Sequence, residues 1–227
     1  MRRNTVGILL VVAVAAVSIG APGASAAPEF LHLSAPVAGT NRNFEANGVN
    51  SIAVLPANGS KIECATVRMV AKILGRSQVT NVVVKGKGCV ATVPSATGVI
   101  ETCKVHTPGF MNGTITTKAL VGELGEVAPF EALDERGLEL QPKIGTIVTT
   151  VEGLCYPLTA IEGSIIGEIT PKAVEQPTSE LLSTQTGLSQ TIQKFVSGPK
   201  HNLEVASFEL VQTLKLNITF KQAIEIT

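Results

Sequence analysis

An all-β fold, an antiparallel sandwich or barrel, is predicted from three features of the chain. The C-terminal part alternates strictly, with Phe208, Leu210, Leu214, Leu216, Ile218, Phe220, Ile224 and Ile226 on one face and Thr213, Lys215, Asn217, Thr219 and Lys221 on the other. A period of two, interrupted on its apolar side only by Gln212 and Gln222, is the pattern of a long half-buried strand. The middle of the chain is built of short apolar segments rich in β-branched residues and punctuated by Gly, Pro and Asn, as strands and turns are. Thr159 to Thr170, stopped by Pro171, then reads as the central strand: one face carries Ile161, Gly163, Ile165, Gly167 and Ile169, the other Ala160, Glu162, Ser164, Ile166 and Glu168. Two glycines between core isoleucines imply that a bulky neighbour, another sheet or a bend needs the space.

The first residues set the compartment. Arg2 and Arg3 precede an apolar run from Val6 to Val17, and Ala24-Ser25-Ala26 supplies the small-x-small pattern cut by signal peptidase. The run falls short of the roughly 20 residues that span a bilayer. Residues 1–26 are therefore read as a signal peptide, 27–50 as a loosely held arm and 51–227 as a single β domain, with no transmembrane segment in the mature chain. The expected location is secreted or at the extracellular cell surface.

The elements follow in order. Ser51 to Pro56 and Lys61 to Val67 read as short strands about Asn58-Gly59. Val67 to Leu74 fits a helical stripe as well as a strand, and its surroundings favour strand. Val79 to Lys85 is a strand closed by Gly86-Lys87-Gly88. Between Gly113 and Gly125 the apolar positions change phase, which places a bulge or tight turn near Lys118. Leu138 to Gln141 and Ile144 to Val151 are strands separated by Pro142-Lys143. Val174 to Gly187 is polar and holds Pro177, so a loop or one helical turn is expected there.

Four cysteines, Cys64, Cys89, Cys103 and Cys155, make an even count in an exported chain, which reads as two disulfides with three possible connectivities. A zinc site would bring close pairs such as C-x-x-C, and there are none. The expected pairing is Cys89 with Cys103, enclosing a turn-rich loop with Pro94 and Gly98, and Cys64 with Cys155.

Residues 61–195 bear a further likeness. Asn81-Val-Val-Val-Lys-Gly-Lys-Gly-Cys89, Cys103, Gly113-Thr-Ile-Thr-Thr-Lys-Ala-Leu-Val-Gly-Glu-Leu-Gly125, Cys155 and Gly163-Ser-Ile-Ile-Gly-Glu-Ile-Thr-Pro171 together resemble a group of exported proteins of high-GC Gram-positive bacteria. The resemblance implies secretion, β structure and paired cysteines, and it brings no activity, substrate or functional residue. Glu126 stands where that group would place an aromatic.

Composition narrows function without fixing it. Arg2 and Arg3 are two of the 18 basic residues, so the mature chain keeps 16 against 18 acidic ones. Net charge thus gives no polyanion-binding signature, and no nucleic-acid partner is predicted. The chain has no tryptophan and one tyrosine, Tyr156, which removes the aromatic platforms of sugar and single-strand binders. Asp134 is the only aspartate; His32, His106 and His201 fall in no metal or nucleophile motif. A triad of His106 with a glutamate and a serine lacks the G-x-S-x-G elbow. Glu162 and Glu168 lie too far apart along a strand for a catalytic pair, and Glu131, Asp134, Glu135 and Glu139 read as an exposed acidic loop. Asn58-Gly-Ser, Asn112-Gly-Thr and Asn217-Ile-Thr match glycosylation acceptors, the first two serving equally as turns. No catalytic, metal or cofactor residue is therefore predicted. The expected role is a cell-envelope or extracellular interaction module. A small barrel for an apolar, lipid-like ligand is the alternative, and a hydrolase of unrecognised type a second; the partners admitted are a cell-surface component or an apolar ligand.

Overall fold

The computed structural model describes residues 28–32, 35–37, 42–55, 60–94, 98–127, 136–170, 174–183, 185–186, 189–190, 194–197, 202–205 and 211–227. The signal segment, the Asn58-Gly59 turn, His201, Phe208, Leu210 and the acidic residues 131, 134 and 135 lie outside these. Eight strands form a closed antiparallel barrel: β1 (Asn43–Leu55), β2 (Ser60–Leu74), β3 (Gln78–Lys87), β4 (Leu120–Val127), β5 (Arg136–Pro142), β6 (Ile165–Thr170), β7 (Gln176–Ser183) and β8 (Val211–Ile226). Each pairs with the next in sequence, and β8 returns to β1 with Phe220 opposite Phe44 and Ile218 opposite Ala46. The topology is an up-and-down meander, which closes without leaving a barrel edge.

Alternation decides what faces inward. Phe44 and Ala46 of β1, Val67, Met69, Ala71 and Ile73 of β2, Leu120 and Leu124 of β4, Leu138 and Leu140 of β5, and Leu216, Ile218 and Phe220 of β8 share one buried cluster. Large and small residues interlock across it. A Cβ added at Gly167 would lie 2.7 Å from Leu181 Cδ1, and one at Gly122 would lie 2.6 Å from Leu140 Cδ2. Those glycines are occupied space, not gaps. At one end Phe30 and Val37 join the cluster, the Phe30 amide donating to the Arg76 carbonyl and Phe30 pairing with Ile226. Arg136 closes the same end, with Nε donating to the Thr227 carbonyl at 3.0 Å and Nη1 3.4 Å from Glu126 Oε1.

Two insertions build a second layer at the other end. The β3–β4 insertion carries strands Val90–Pro94, Ile100–His106 and Thr114–Thr116; the β5–β6 insertion carries Ile147–Gly153 and Tyr156–Glu162. They pair with each other, Gly153 opposite Val105 and Glu152 opposite His106. Their core holds Ala91, Val105, Val151, Tyr156 and Ile161 with Ile62 of β2. Strand β2 therefore serves both cores: Val67, Met69, Ala71 and Ile73 face the barrel, while Ile62 faces the second layer. Hydroxyls pin the insertions, Thr149 of the second donating to the Thr116 carbonyl of the first at 2.8 Å and Thr107 accepting the Thr116 amide within the first at 2.9 Å.

Disulfide connectivity differs from the expected one. Cys64 bonds Cys89, and Cys103 bonds Cys155. The first ties β2 to the β3–β4 insertion, and Gly86 leaves the room, since a Cβ there would lie 2.6 Å from Cys64 Sγ. The second ties the two insertions together beside the Gly153–Val105 pairing, which brings Cys103 to Cys155. Two disulfides indicate an oxidising, non-cytoplasmic setting.

Other expectations change as well. Thr159 to Thr170 is not one strand: it breaks at Gly163, whose φ of 110° belongs to glycine, between the strand Tyr156–Glu162 and β6. Ile165, Gly167 and Ile169 face the barrel core, whereas Ile161 lies in the second layer. Ile166, on the face taken as polar, is fully buried. The arm ends at Asn43, where β1 begins, and its Phe30 is core. The expected loop 174–187 contains β7, with Pro177 at the register irregularity between Gln176 and Thr178, where a missing N–H is tolerated. Glu139 is not in an exposed loop; it is a buried residue of β5.

Two outcomes follow from this packing. Leucine at Gly167 would drive into Leu181 and should cost about 1 to 3 kcal/mol or more, whereas leucine at Ser164, in the turn after Gly163, should cost well under that; equal melting temperatures for the two variants would contradict the assigned core face. Tyr156 is the second case. Its ring is buried and its hydroxyl meets no hydrogen-bond partner of ordinary geometry. Burial raises its phenol pKa, with the Thr159 hydroxyl pulling the other way. The folded protein thus holds this proton more tightly than the unfolded chain, so the associated stability is intact below pH 10 and is lost as pH rises through the folded pKa. As the only tyrosine, in a chain without tryptophan, it can be followed alone by phenolate absorbance. Tyr156→Phe should remove the alkaline loss and leave neutral-pH stability unchanged or raised by up to about 1 kcal/mol.

Candidate functional site

The outer positions of the barrel strands differ in exposure, and their chemistry is unevenly distributed. Across β8, β1, β2 and β3 the register sets Asn217, Asn47, Arg68 and Lys85 in one row. Lys72 lies opposite Asn43, and Lys87 opposite Thr66. With Lys215 and Lys221 of β8, this half of the barrel presents a basic surface interleaved with amides and hydroxyls.

Two grooves cross it and share Asn47. One, of about 610 Å³, is lined by Asn47, Thr66, Arg68, Lys85, Lys87, Lys215 and Asn217 among others. The second, of about 590 Å³, is lined by Asn43, Glu45, Lys72, Asn81, Thr219 and Lys221 among others. Asn81 sits at a bulge of β3 with φ 53°, a left-handed conformation that asparagine tolerates better than most residues.

Only part of this charge is neutralised locally. Arg68 meets Glu45 at 2.8 Å and Lys215 meets Glu180 at 2.7 Å. Lys85 lies 5.9 Å from the centre of the Phe110 ring, a cation–π contact. Among the described residues no carboxylate comes within ion-pair distance of Lys72, Lys85, Lys87 or Lys221. Arg68 and Lys85 are direct cross-strand partners, and like charges so placed repel.

The other half of the barrel carries the opposite sign. Outer positions of β4 to β7 hold Glu123, Glu139, Glu168 and Glu180, with Glu123 directly opposite Glu139. This half is largely covered, Glu139 and Ile166 being buried.

The histidines are scattered. His32 Nδ1 is 2.6 Å from Glu175 Oε1 and 2.9 Å from the Ala223 carbonyl. His106 Nε2 is 3.4 Å from Glu152 Oε1, its Nδ1 is buried without a hydrogen-bond partner, and the pair lines a cleft of about 340 Å³ with Lys104, Asn112, Gly153 and Leu154. No serine lines that cleft among the described residues. Glu162 and Glu168 fall in different strands. None of these residues converges with another into a nucleophile–base arrangement among the described residues.

Sequence reasoning missed the basic face because net charge was its only measure. A signal was present: Lys215, Asn217, Thr219 and Lys221 recur at every second residue, as do Arg68 and Lys72 about Val70, and Lys85 with Lys87. Comparison with family models, with curated proteins and with solved structures gives no match to this chain.

Proposed function

We propose that this protein is an exported interaction module that works through its surface, not through a ligand held in its barrel. The observation that carries the reading is the packing of the described interior: inward side chains from all eight strands share one buried cluster, and Leu140 and Leu181 pack against Gly122 and Gly167. A close-packed interior supplies the contacts that an apolar ligand would otherwise restore. The two disulfides support an extracytoplasmic setting. Within this reading residues 1–26 are a signal peptide, and the mature product is secreted or held at the cell surface.

Native mass spectrometry of protein recovered from culture medium tests the central claim. It should give the mass of the chain alone, and melting temperatures should not shift across a panel of fatty acids and isoprenoids. A stoichiometric lipid adduct would favour the barrel as a binding cavity, since a ligand at a hundred times its dissociation constant stabilises by about 2.7 kcal/mol. N-terminal sequencing of the same sample should begin at Ala27 or within a residue or two of it; a product retaining Arg2 would remove the case for cleavage.

A further inference from the structure

We propose that the outer face of β8, β1, β2 and β3 binds an acidic polysaccharide laid along its two grooves. The inference rests on the surface-binding reading above and names the partner's chemistry. Lys72, Lys85, Lys87 and Lys221 project from this face without carboxylate partners among the described residues, while Arg68 and Lys85 oppose each other directly. Glu45 already meets Arg68 at 2.8 Å, so the cations left without a carboxylate are the four lysines, all of them exposed. An anionic chain laid along them gains their attraction with no protein carboxylate to displace from them.

The groups between the cations say which kind of polyanion fits. Asn47, Asn217, Asn43, Thr66 and Thr219 both donate and accept hydrogen bonds, which suits a chain dense in hydroxyls as well as charge. A single-stranded nucleic acid would need exposed rings for its bases. The rings lining the grooves, Phe44 and Phe220, are turned into the core at 2% and 5% exposure, and Phe110, exposed beside Lys85, gives one stacking place where a strand of bases needs a series. A bilayer would meet only the rims of the grooves, whereas a flexible polymer enters them and passes Asn47 from one to the next. The aromatic shortage that disfavours neutral-sugar stacking does not weigh against recognition by charge and amides.

The test is titration calorimetry of the mature chain with alginate, which carries carboxylates, and with dextran sulfate, which carries sulfate esters, each against neutral dextran, duplex DNA and phosphatidylglycerol vesicles. At least one acidic polysaccharide should bind in preference to all three comparators, and binding should weaken as salt is raised. Retention of only one assigns the anion as carboxylate or sulfate ester, and either supports the proposal. The double variant Lys85→Gln with Lys87→Gln should bind at least tenfold more weakly at an unchanged melting temperature. Lys118→Gln with Lys143→Gln, exposed lysines outside the grooves, should bind as the parent does. Asn47→Ala with Asn217→Ala should weaken the polysaccharide severalfold without altering residual DNA binding.

Failure of both acidic polysaccharides to bind, loss of binding in the control variant as large as in the groove variant, or DNA or vesicles held as tightly as the polysaccharide would each overturn it. A negative result with a lipid-free native spectrum rejects the polysaccharide alone. A copurifying lipid rejects the surface reading beneath it.

Discussion

The pairing of β8 with β1 is the constraint on which the rest depends. A meander barrel has no edge only if its last strand returns to its first, and here the return runs through Phe220 opposite Phe44, whose rings lie 5.4 Å apart and tilted by 56° inside the core. Without that ladder β1 and β8 would each expose a long row of unpaired backbone groups, and the inward faces of both would lose their opposite walls. The seam also joins the first and last described segments: Phe30 pairs with Ile226, and the Thr227 amide donates to the Glu29 carbonyl. Such contacts span nearly all of the described residues, so closure belongs late in folding.

How legible each part was follows from how many environments each strand serves. Strand β8 could be read residue by residue because water lies on one side of it and a single core on the other, so apolar Leu216, Ile218 and Phe220 alternate with Lys215, Asn217 and Thr219. The stretch Thr159 to Thr170 misled for the opposite reason. Its alternation continues unbroken in sequence while Ile161 serves the second layer and Ile165 serves the barrel, and only the backbone at Gly163 separates them. Strand β7 escaped notice because its inward set begins with Ser179 and its start carries Pro177; it is strand by virtue of two neighbours, β6 and β8, not by its own pattern. The cysteine pairing was out of reach of spacing arguments, since Cys103 and Cys155 are brought together by the pairing of two insertions far apart in the chain.

The candidate site was hidden by a different averaging. Net charge sums over the molecule, whereas recognition depends on which charges share a face. Alternation within β2, β3 and β8 shows that their cations point the same way, but only register shows that Arg68 stands beside Lys85 and Asn47 beside Asn217. Acidic residues gather on the other strands, with Glu123 opposite Glu139, and only Glu180 among them reaches the basic face, at Lys215.

A filled barrel separates two kinds of selection on sequence. Inward positions are held to volumes that interlock, as Gly167 against Leu181 and Gly122 against Leu140 show, and any ligand would have to displace them. Outward positions on β8, β1, β2 and β3 have no such duty, so the choice of lysine, arginine and asparagine there is not an account of the fold. The two disulfides strengthen this division. They run in series from β2 to the first insertion and from the first insertion to the second, fastening the outer layer to the end of the barrel and leaving the basic face uncovered among the described residues. A scaffold fixed in this way keeps the spacing of exposed cations constant, and a constant spacing is what lets a surface distinguish one polyanion from another instead of attracting all of them alike.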